Sequence, residues 1–185
     1  YLIITRPDVI EDIHRSYLDA GSDIIETNTF GATPVVLAEY GLGHEARRIN
    51  REAASLARRM VCSQSTPDKP RFVAGSMGPT TKTISVTGGI TFEELAEDYH
   101  IQAAGLIEGG ADVLLIETQQ DILETKAIIE GAKKAFTEKK TKLPMIVQAT
   151  VDVFSKMQIF NTDIHAAYTA VSGMGIDVFG INCNV

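Results

Sequence analysis

The 185-residue sequence contains no tryptophan and only two cysteines, Cys62 and Cys183. Two cysteines cannot build the dense disulfide framework of a small secreted domain, so we expect free thiols in a reducing compartment, the cytoplasm. No apolar run approaches the roughly 20 residues of a membrane-spanning helix, and no signal peptide opens the chain. The sequence therefore predicts a cytoplasmic globular chain without membrane contact.

Basic residues are also few, since 17 Lys and Arg face 24 Asp and Glu and leave a net charge of −7. Nucleic-acid binding needs clustered Lys and Arg for phosphate contact, and no such cluster is evident in the sequence. Apolar residues make up 44% of the chain, which is enough to fill a hydrophobic core. The composition indicates one globular unit with no nucleic-acid partner.

A repeated pattern predicts three of the strands: a small residue, Gly, a variable position, Asp, an apolar run and a polar end. It occurs in residues 20–27, 109–118 and 174–183. Gly suits the left-handed residue that ends a helix, and Asp can bind free backbone N–H groups in the turn that follows. Two further apolar runs, residues 71–75 and 144–150, lack the Asp. Continuous apolar runs are typical of parallel strands covered by helices, so five strands are predicted.

Helical patterns separate these strands. Residues 5–8 and 91–94 each place a threonine hydroxyl three residues before a carboxylate, the capping-box arrangement or its Asp variant. Apolar residues at helical spacing follow the first cap: Ile10, Ile13, Tyr17 and Leu18. Further helices are predicted at residues 43–63, 121–136 and 162–172. The alternation of helices and strands predicts an α/β fold with a parallel sheet and right-handed crossovers.

Chemically capable side chains follow the predicted strands: Glu26, Thr27, Asn28, Glu117, Thr118, Asn182 and Cys183. Active sites of (β/α)₈ barrels lie at the carboxyl ends of the strands, so these groups would open onto one mouth. Carboxylates, an amide and a thiol suit a small ligand with an amino group and sulfur. Glu117 is the leading candidate for binding, whereas Glu26 is equally compatible with a structural role. Cys62 is expected to pack inside a helix.

Six stretches carry a family resemblance. They are TRPDVI at residues 5–10, ETNTFGAT at 26–33, INREAASLAR at 49–58, AGSMGPTTK at 74–82, LLIETQQD at 114–121 and GINC at 180–183. Together they resemble the homocysteine S-methyltransferase family, and most of all the homocysteine-binding modules of cobalamin-dependent methionine synthases. The resemblance implies a (β/α)₈ TIM-type barrel, here an incomplete one of about five βα units. Residues 1–185 would form one partial barrel domain, with the first strand and the last two strands missing.

The resemblance also implies a reaction, the zinc-dependent transfer of a methyl group to the thiol of homocysteine, giving methionine. In the family three cysteines hold the zinc; Cys183 matches the first, and the tandem pair is absent from this sequence. Glu117 matches the carboxylate that binds the amino group of the substrate, and Asn28 and Asn182 are expected as further substrate contacts. Because one thiolate holds zinc poorly, the chain is expected to be inactive alone.

The implied partners are homocysteine and methylcobalamin, the latter carried on a separate module of the same longer polypeptide. Methyltetrahydrofolate, bound by a folate module, would recharge the cobalamin. One alternative is a cobalamin-independent enzyme that uses S-methylmethionine or betaine. Another is an unrelated TIM-barrel lyase or aldolase-like enzyme with Glu117 as base, for which Lys82 is the nearest candidate lysine. A third is a structural or interaction domain, although no exposed amphipathic stripe in the sequence favours it.

Overall fold

The structure, a computed structural model, describes residues 1–84, 86 and 88–183. Its strands are β1 (Ile24–Glu26), β2 (Phe72–Met77), β3 (Val113–Gln119), β4 (Met145–Ala149) and β5 (Val178–Ile181). They form one sheet in the order β1-β2-β3-β4-β5, and every neighbouring pair is parallel, as predicted. The carboxyl ends of the strands therefore all lie at one edge of the sheet, which we call the carboxyl edge.

The five predicted helices are present, and two short ones join them. The helices are α1 (Leu2–Thr5), α2 (Pro7–Asp19), α3 (Pro34–Ala38), α4 (Ala46–Gln64), α5 (Phe92–Gly109), α6 (Ile122–Lys139) and α7 (Ile164–Ser172). A 3₁₀ turn at Gly43–Glu45 precedes α4, so that helix begins later than predicted. None of the helices among the described residues is both long and apolar enough to span a bilayer.

The two predicted caps have different outcomes. At the start of α5 the capping box is confirmed, because Thr91 Oγ1 accepts from the Glu94 backbone N–H at 3.2 Å and Glu94 accepts from the Thr91 N–H at 2.8 Å. The cap predicted at Thr5 is wrong. Thr5 ends α1, and α2 starts with Pro7, whose fixed φ suits the first helical position.

Glycines bring the central helices close together. A Cβ added at Gly105 of α5 would lie 2.6 Å from the carbonyl oxygen of Arg47 on α4. One added at Gly131 of α6 would lie 2.6 Å from the carbonyl oxygen of Ala96 on α5. Because only glycine leaves room for these backbones to approach, α4, α5 and α6 pack as a layer against the sheet. The largest core cluster lies between this layer and β2–β4.

The opposite face of the sheet has its own small apolar cluster, formed by Ala74, Val113, Leu115 and Ile146. No helix residue belongs to it, so we call this side the inner face. Parallel strands in chain order, with helices on one face and strand side chains clustered on the other, make up the architecture of a partial (β/α)₈ barrel. The predicted fold class is confirmed.

Two expectations about burial are wrong. Ile10 and Leu18 of α2 are buried as expected, but Ile13 and Tyr17 are 47% and 61% exposed. They lie on the side of α2 that borders an open cavity beside β1, where no described element covers them. Cys62 was expected to pack within its helix, yet it is exposed, because it lies on the outward side of α4.

Candidate functional site

The strand register places three side chains together on the inner face near the carboxyl edge. Glu26 pairs with Ala74, and Ser76 pairs with Leu115. Paired residues of parallel strands point to the same face, and every second residue along a strand does so too. Since Ala74 and Leu115 belong to the inner cluster, Glu26, Ser76 and Glu117 share its face.

The carboxylate of Glu117 is half-buried and is held by neutral hydrogen-bond donors. Ser76 Oγ donates to Oε1 at 2.5 Å, and Asn182 Nδ2 lies 3.4 Å from Oε2. No Lys, Arg or His of the described chain lies within ion-pair distance of this carboxylate. A negative charge that the fold positions but does not neutralise can bind a cation.

Glu26 adds a second carboxyl group to the same face. Its partial burial raises the pKa of Glu26, and the nearby negative charge of Glu117 raises it further. Two like charges that interact in this way are relieved when a cationic group binds between or beside them. The electrostatics of the inner face therefore favour a cationic group as ligand.

Asn182 holds the end of β3. Its Oδ1 accepts from the backbone N–H of Thr118 at 3.0 Å, and its Nδ2 donates to Thr118 Oγ1 at 3.0 Å. Thr118 has φ of 60°, a left-handed conformation that is rare for a β-branched residue, and the β3–β4 register shifts between Ile116 and Gln119. The amide of Asn182, predicted to contact substrate, thus has contacts within the protein.

Cys183 follows β5 at the carboxyl edge with its thiol exposed, and its Sγ lies 3.7 Å from Thr118 Oγ1. This placement is compatible with a metal ligand. However, the described residues contain no group of three or more His, Cys, Asp or Glu that could hold a metal ion. Among the described residues, Cys183 is thus not accompanied by the two or more further side chains that a metal centre would need.

Asn28, the remaining predicted contact, is exposed and lines a cavity of about 410 Å³ between α2 and β1, together with Glu26 and His14. His14 is 5% exposed, and its Nε2 has no hydrogen-bond partner among the described residues. Burial lowers the pKa of His14 and so favours the neutral form of the ring. Asn28 thus lies near Glu26, but β2 separates its strand from that of Glu117.

Ser76 is a site residue that the sequence does not predict, because the apolar run of residues 71–75 places the end of the second strand at Gly75. The strand continues to Met77, and Gly75 serves packing instead: a Cβ there would lie 3.0 Å from Leu106 Cδ1. Ser76 lies two residues after Ala74, so the two-residue period of a strand could have indicated that these two side chains share a face. The left-handed turn at Thr118 had no local signal, because a contact with Asn182, 64 residues later, accompanies it.

The family model described as homocysteine S-methyltransferase matches residues 1–185. The chain belongs to this family. Methionine synthases of Mycobacterium leprae and Mycobacterium tuberculosis are 40% and 39% identical to it over 179 residues. That alignment covers 97% of this chain and 15% of either relative. The family member described here therefore spans about 15% of the length of the curated relatives it matches.

Solved structures agree on the fold. The homocysteine methyltransferase MmuM from Escherichia coli, in its metallated form, superposes with a TM-score of 0.80 and is 22% identical in sequence. The superposition covers 98% of this chain and 65% of the E. coli chain. The apo form of the same protein gives a TM-score of 0.73. This likeness confirms the architecture that the resemblance implied.

Proposed function

We propose that this chain forms part of a homocysteine-binding barrel and that the complete enzyme methylates the thiol of homocysteine to give methionine. The observation that supports this most is the unneutralised Glu117 carboxylate, ordered by Ser76 and Asn182 at the carboxyl edge. Asn182 contacts Glu117 and Cys183 directly follows Asn182, so a carboxylate and a thiol lie at the same edge of the sheet. An amino acid with a terminal thiol matches both groups.

In this proposal Glu117 accepts a charge-assisted hydrogen bond from the substrate ammonium. Glu26 adds negative charge on the same face, and Asn28 and Asn182 stay candidates for further substrate contacts. The half-burial of Glu117 strengthens the interaction, because fewer water molecules compete for the carboxylate. The ammonium end would be held at β3, and the sulfur would reach toward Cys183 beyond β5.

We further propose that zinc serves the complete site and that Cys183 is one of its ligands. The metallated form of the E. coli homocysteine methyltransferase supports a metal in the family. The other ligands would be the tandem cysteine pair of the family, on residues outside this chain. The first strand and the last two strands of the barrel would also lie outside it. Bound zinc would keep the substrate sulfur in the thiolate form, the nucleophilic state of a thiol.

Methylcobalamin on a separate module of the same polypeptide is the methyl donor that we propose, recharged from methyltetrahydrofolate on a folate module. The similarity to two methionine synthases, of which this chain matches 15%, supports it. A donor such as S-methylmethionine or betaine is the alternative, and supplying each donor in turn to the full-length enzyme decides between them. The cytoplasmic location stays a prediction from the sequence.

The test of the binding role is Glu117→Gln in the full-length polypeptide that carries this chain. Glutamine keeps the size but loses the charge, and a charge-assisted hydrogen bond contributes roughly 1.5–3 kcal/mol. We expect the Kd for homocysteine to rise about ten- to a hundredfold, with zinc content near that of the wild type. Calorimetric titration and metal analysis measure the two quantities.

Glu130→Gln is the matched control, because Glu130 makes an exposed ion pair with Lys133 on α6. It should leave homocysteine binding unchanged. If Glu117→Gln lowered the melting temperature but left homocysteine affinity at the wild-type value, Glu117 would be a structural residue and the proposed function would lose its main support.

A further inference from the structure

We propose that Ser76 is a positioning residue that orients Glu117 toward the substrate ammonium, an inference that rests on the proposed function. The juxtaposition that carries it is the 2.5 Å hydrogen bond from Ser76 Oγ to Glu117 Oε1, made by a serine that is 2% exposed. Neither the sequence motifs nor the metal chemistry of the family assigns a role to this hydroxyl. The role of Ser76 follows from the direction in which its hydroxyl donates a hydrogen bond.

The backbone of Ser76 is fixed on both sides by a closed ring of three hydrogen bonds. The Ser76 N–H donates to Thr27 Oγ1 at 3.0 Å, and Thr29 Oγ1 donates to the Ser76 carbonyl oxygen at 2.7 Å. The hydroxyls of Thr27 and Thr29 lie 2.6 Å apart. Since the proton of Thr29 goes to Ser76, Thr27 must donate to Thr29. Both threonines are buried, so water does not compete for these bonds.

The backbone N–H and carbonyl oxygen of Ser76 form hydrogen bonds within this ring. Its hydroxyl does not take part and has the Glu117 carboxylate as its partner. An ionised carboxylate only accepts, so the proton of Ser76 must point at Oε1. This bond fixes the rotation of the carboxylate about its last side-chain torsion, a torsion that is otherwise broad. Asn182 lies 3.4 Å from Oε2, a longer and weaker contact. Ser76 is therefore the main determinant of how Glu117 presents its remaining lone pairs.

The experiment uses the full-length enzyme with Ser76→Ala, Glu117→Gln and the double variant. Loss of the alignment of the Glu117 carboxylate should weaken binding less than loss of its charge. Ser76→Ala should therefore raise the Kd and KM for homocysteine about three- to tenfold. The value of kcat and the zinc content should change less than twofold. In the Glu117→Gln background, Ser76→Ala should add little, because a positioning residue acts only through the group it positions.

Isosteric variants guard against a simple folding defect. Ser76→Thr keeps the hydroxyl and should bind homocysteine more tightly than Ser76→Val, which has the same shape without it. Ser63→Ala is the matched control, because the Ser63 hydroxyl donates to the Met60 carbonyl oxygen at 2.7 Å on α4, away from the carboxyl edge.

The outcomes separate the two proposals. If Glu117→Gln weakens binding but Ser76→Ala leaves it unchanged, or adds its full effect in the double variant, the positioning role of Ser76 is overturned and the proposed function stands. If Glu117→Gln itself leaves binding unchanged, the proposed function fails first. Equal affinities of the Thr and Val variants would also overturn the role of Ser76.

Discussion

At the scale of the residue, the two cysteines show how position decides chemistry. Both thiols are exposed, but Cys62 lies on the outward side of α4, and Cys183 follows β5 at the carboxyl edge. In the full-length enzyme we expect Cys183→Ser to abolish methionine formation and to lower zinc content, because Ser is a poor ligand for zinc compared with a thiolate.

Cys62→Ser serves as the control for that change and should retain both properties. Metal analysis and a methionine assay on the two variants measure the difference. Retention of one zinc per chain and of activity by Cys183→Ser would refute the ligand assignment, whereas a loss in Cys62→Ser would point to a role for α4 that its exposed surface does not suggest.

The candidate site was only partly predictable from residues. Glu117 and Cys183 follow long apolar runs, so strand direction alone placed them at one edge. Ser76 was missed, because a glycine one residue earlier resembled a strand end while it serves to admit Leu106. Asn182 was predicted as a substrate contact, but its hydrogen bonds to Thr118 depend on how the segments after β3 and β5 meet across the end of β4, which no local pattern encodes.

At the scale of the element, the close packing of α4 on α5 makes a sharp prediction. Alanine is favoured over glycine inside a helix by about 1 kcal/mol, yet Gly105→Ala should destabilise the protein by about 1–3 kcal/mol. The added Cβ would lie 2.6 Å from the carbonyl oxygen of Arg47, and backbone cannot move aside as a flexible side chain can. Chemical denaturation of the two proteins gives the difference in unfolding free energy.

Gly173→Ala is the control for this prediction, because Gly173 has φ of −79° and a Cβ there would meet no atom within 4 Å. Its stability should be equal to that of the wild type or slightly higher, since alanine has less conformational freedom to lose on folding. A Gly105→Ala protein as stable as the Gly173→Ala protein would show that α4 and α5 can separate at no cost.

Elements were more predictable than their ends. Long apolar runs and helical periodicity gave each main strand and helix, because burial of one face dominates their stability. The ends depend on single contacts: Pro7 rather than Thr5 sets the start of α2, and a 3₁₀ turn delays α4. The short helices α1 and α3 have four and five residues, too few for a periodic signal.

At the scale of the whole molecule, a buried acid links the loop after β2 to the helix layer. Glu124 of α6 is 2% exposed, and its Oε1 accepts from the Thr80 backbone N–H at 2.6 Å. The Tyr99 hydroxyl of α5 lies 3.0 Å from the same oxygen and 2.9 Å from the Gly78 carbonyl oxygen. Burial raises the pKa of Glu124, and the charge of Asp121 adds to this, whereas the hydrogen bonds from Thr80 and Tyr99 oppose it.

This raised pKa gives stability a pH dependence of known sign. A carboxyl whose pKa is higher in the folded state contributes stability below its unfolded value, near pH 4.5, and that contribution is lost as the pH rises through the folded value. Glu124→Gln keeps an acceptor for the Thr80 N–H but cannot ionise. In a titration from pH 4 to pH 8, we expect the variant to gain stability relative to the wild type as the pH rises above the unfolded value, and the gain to level off once the pH passes the folded value.

Melting temperatures measured across that range test the idea. The difference between the two proteins isolates Glu124, because other carboxyls with raised pKa, such as Glu26 and Asp98, titrate in both. Parallel curves would mean that Glu124 titrates in the folded protein as it does in the unfolded chain.

The sheet has two outer strands, β1 and β5, each paired on one side only within the described structure. Their free sides present rows of backbone donors and acceptors, and Ile24, Val178 and Ile181 are each about half exposed there. An edge strand of this kind can pair with a strand of another chain. Uncovered edge strands therefore promote aggregation. At neutral pH the net charge of −7 opposes this through mutual repulsion of the copies. Colloidal stability of the isolated chain would consequently weaken with added salt and near its isoelectric point of about 5.1.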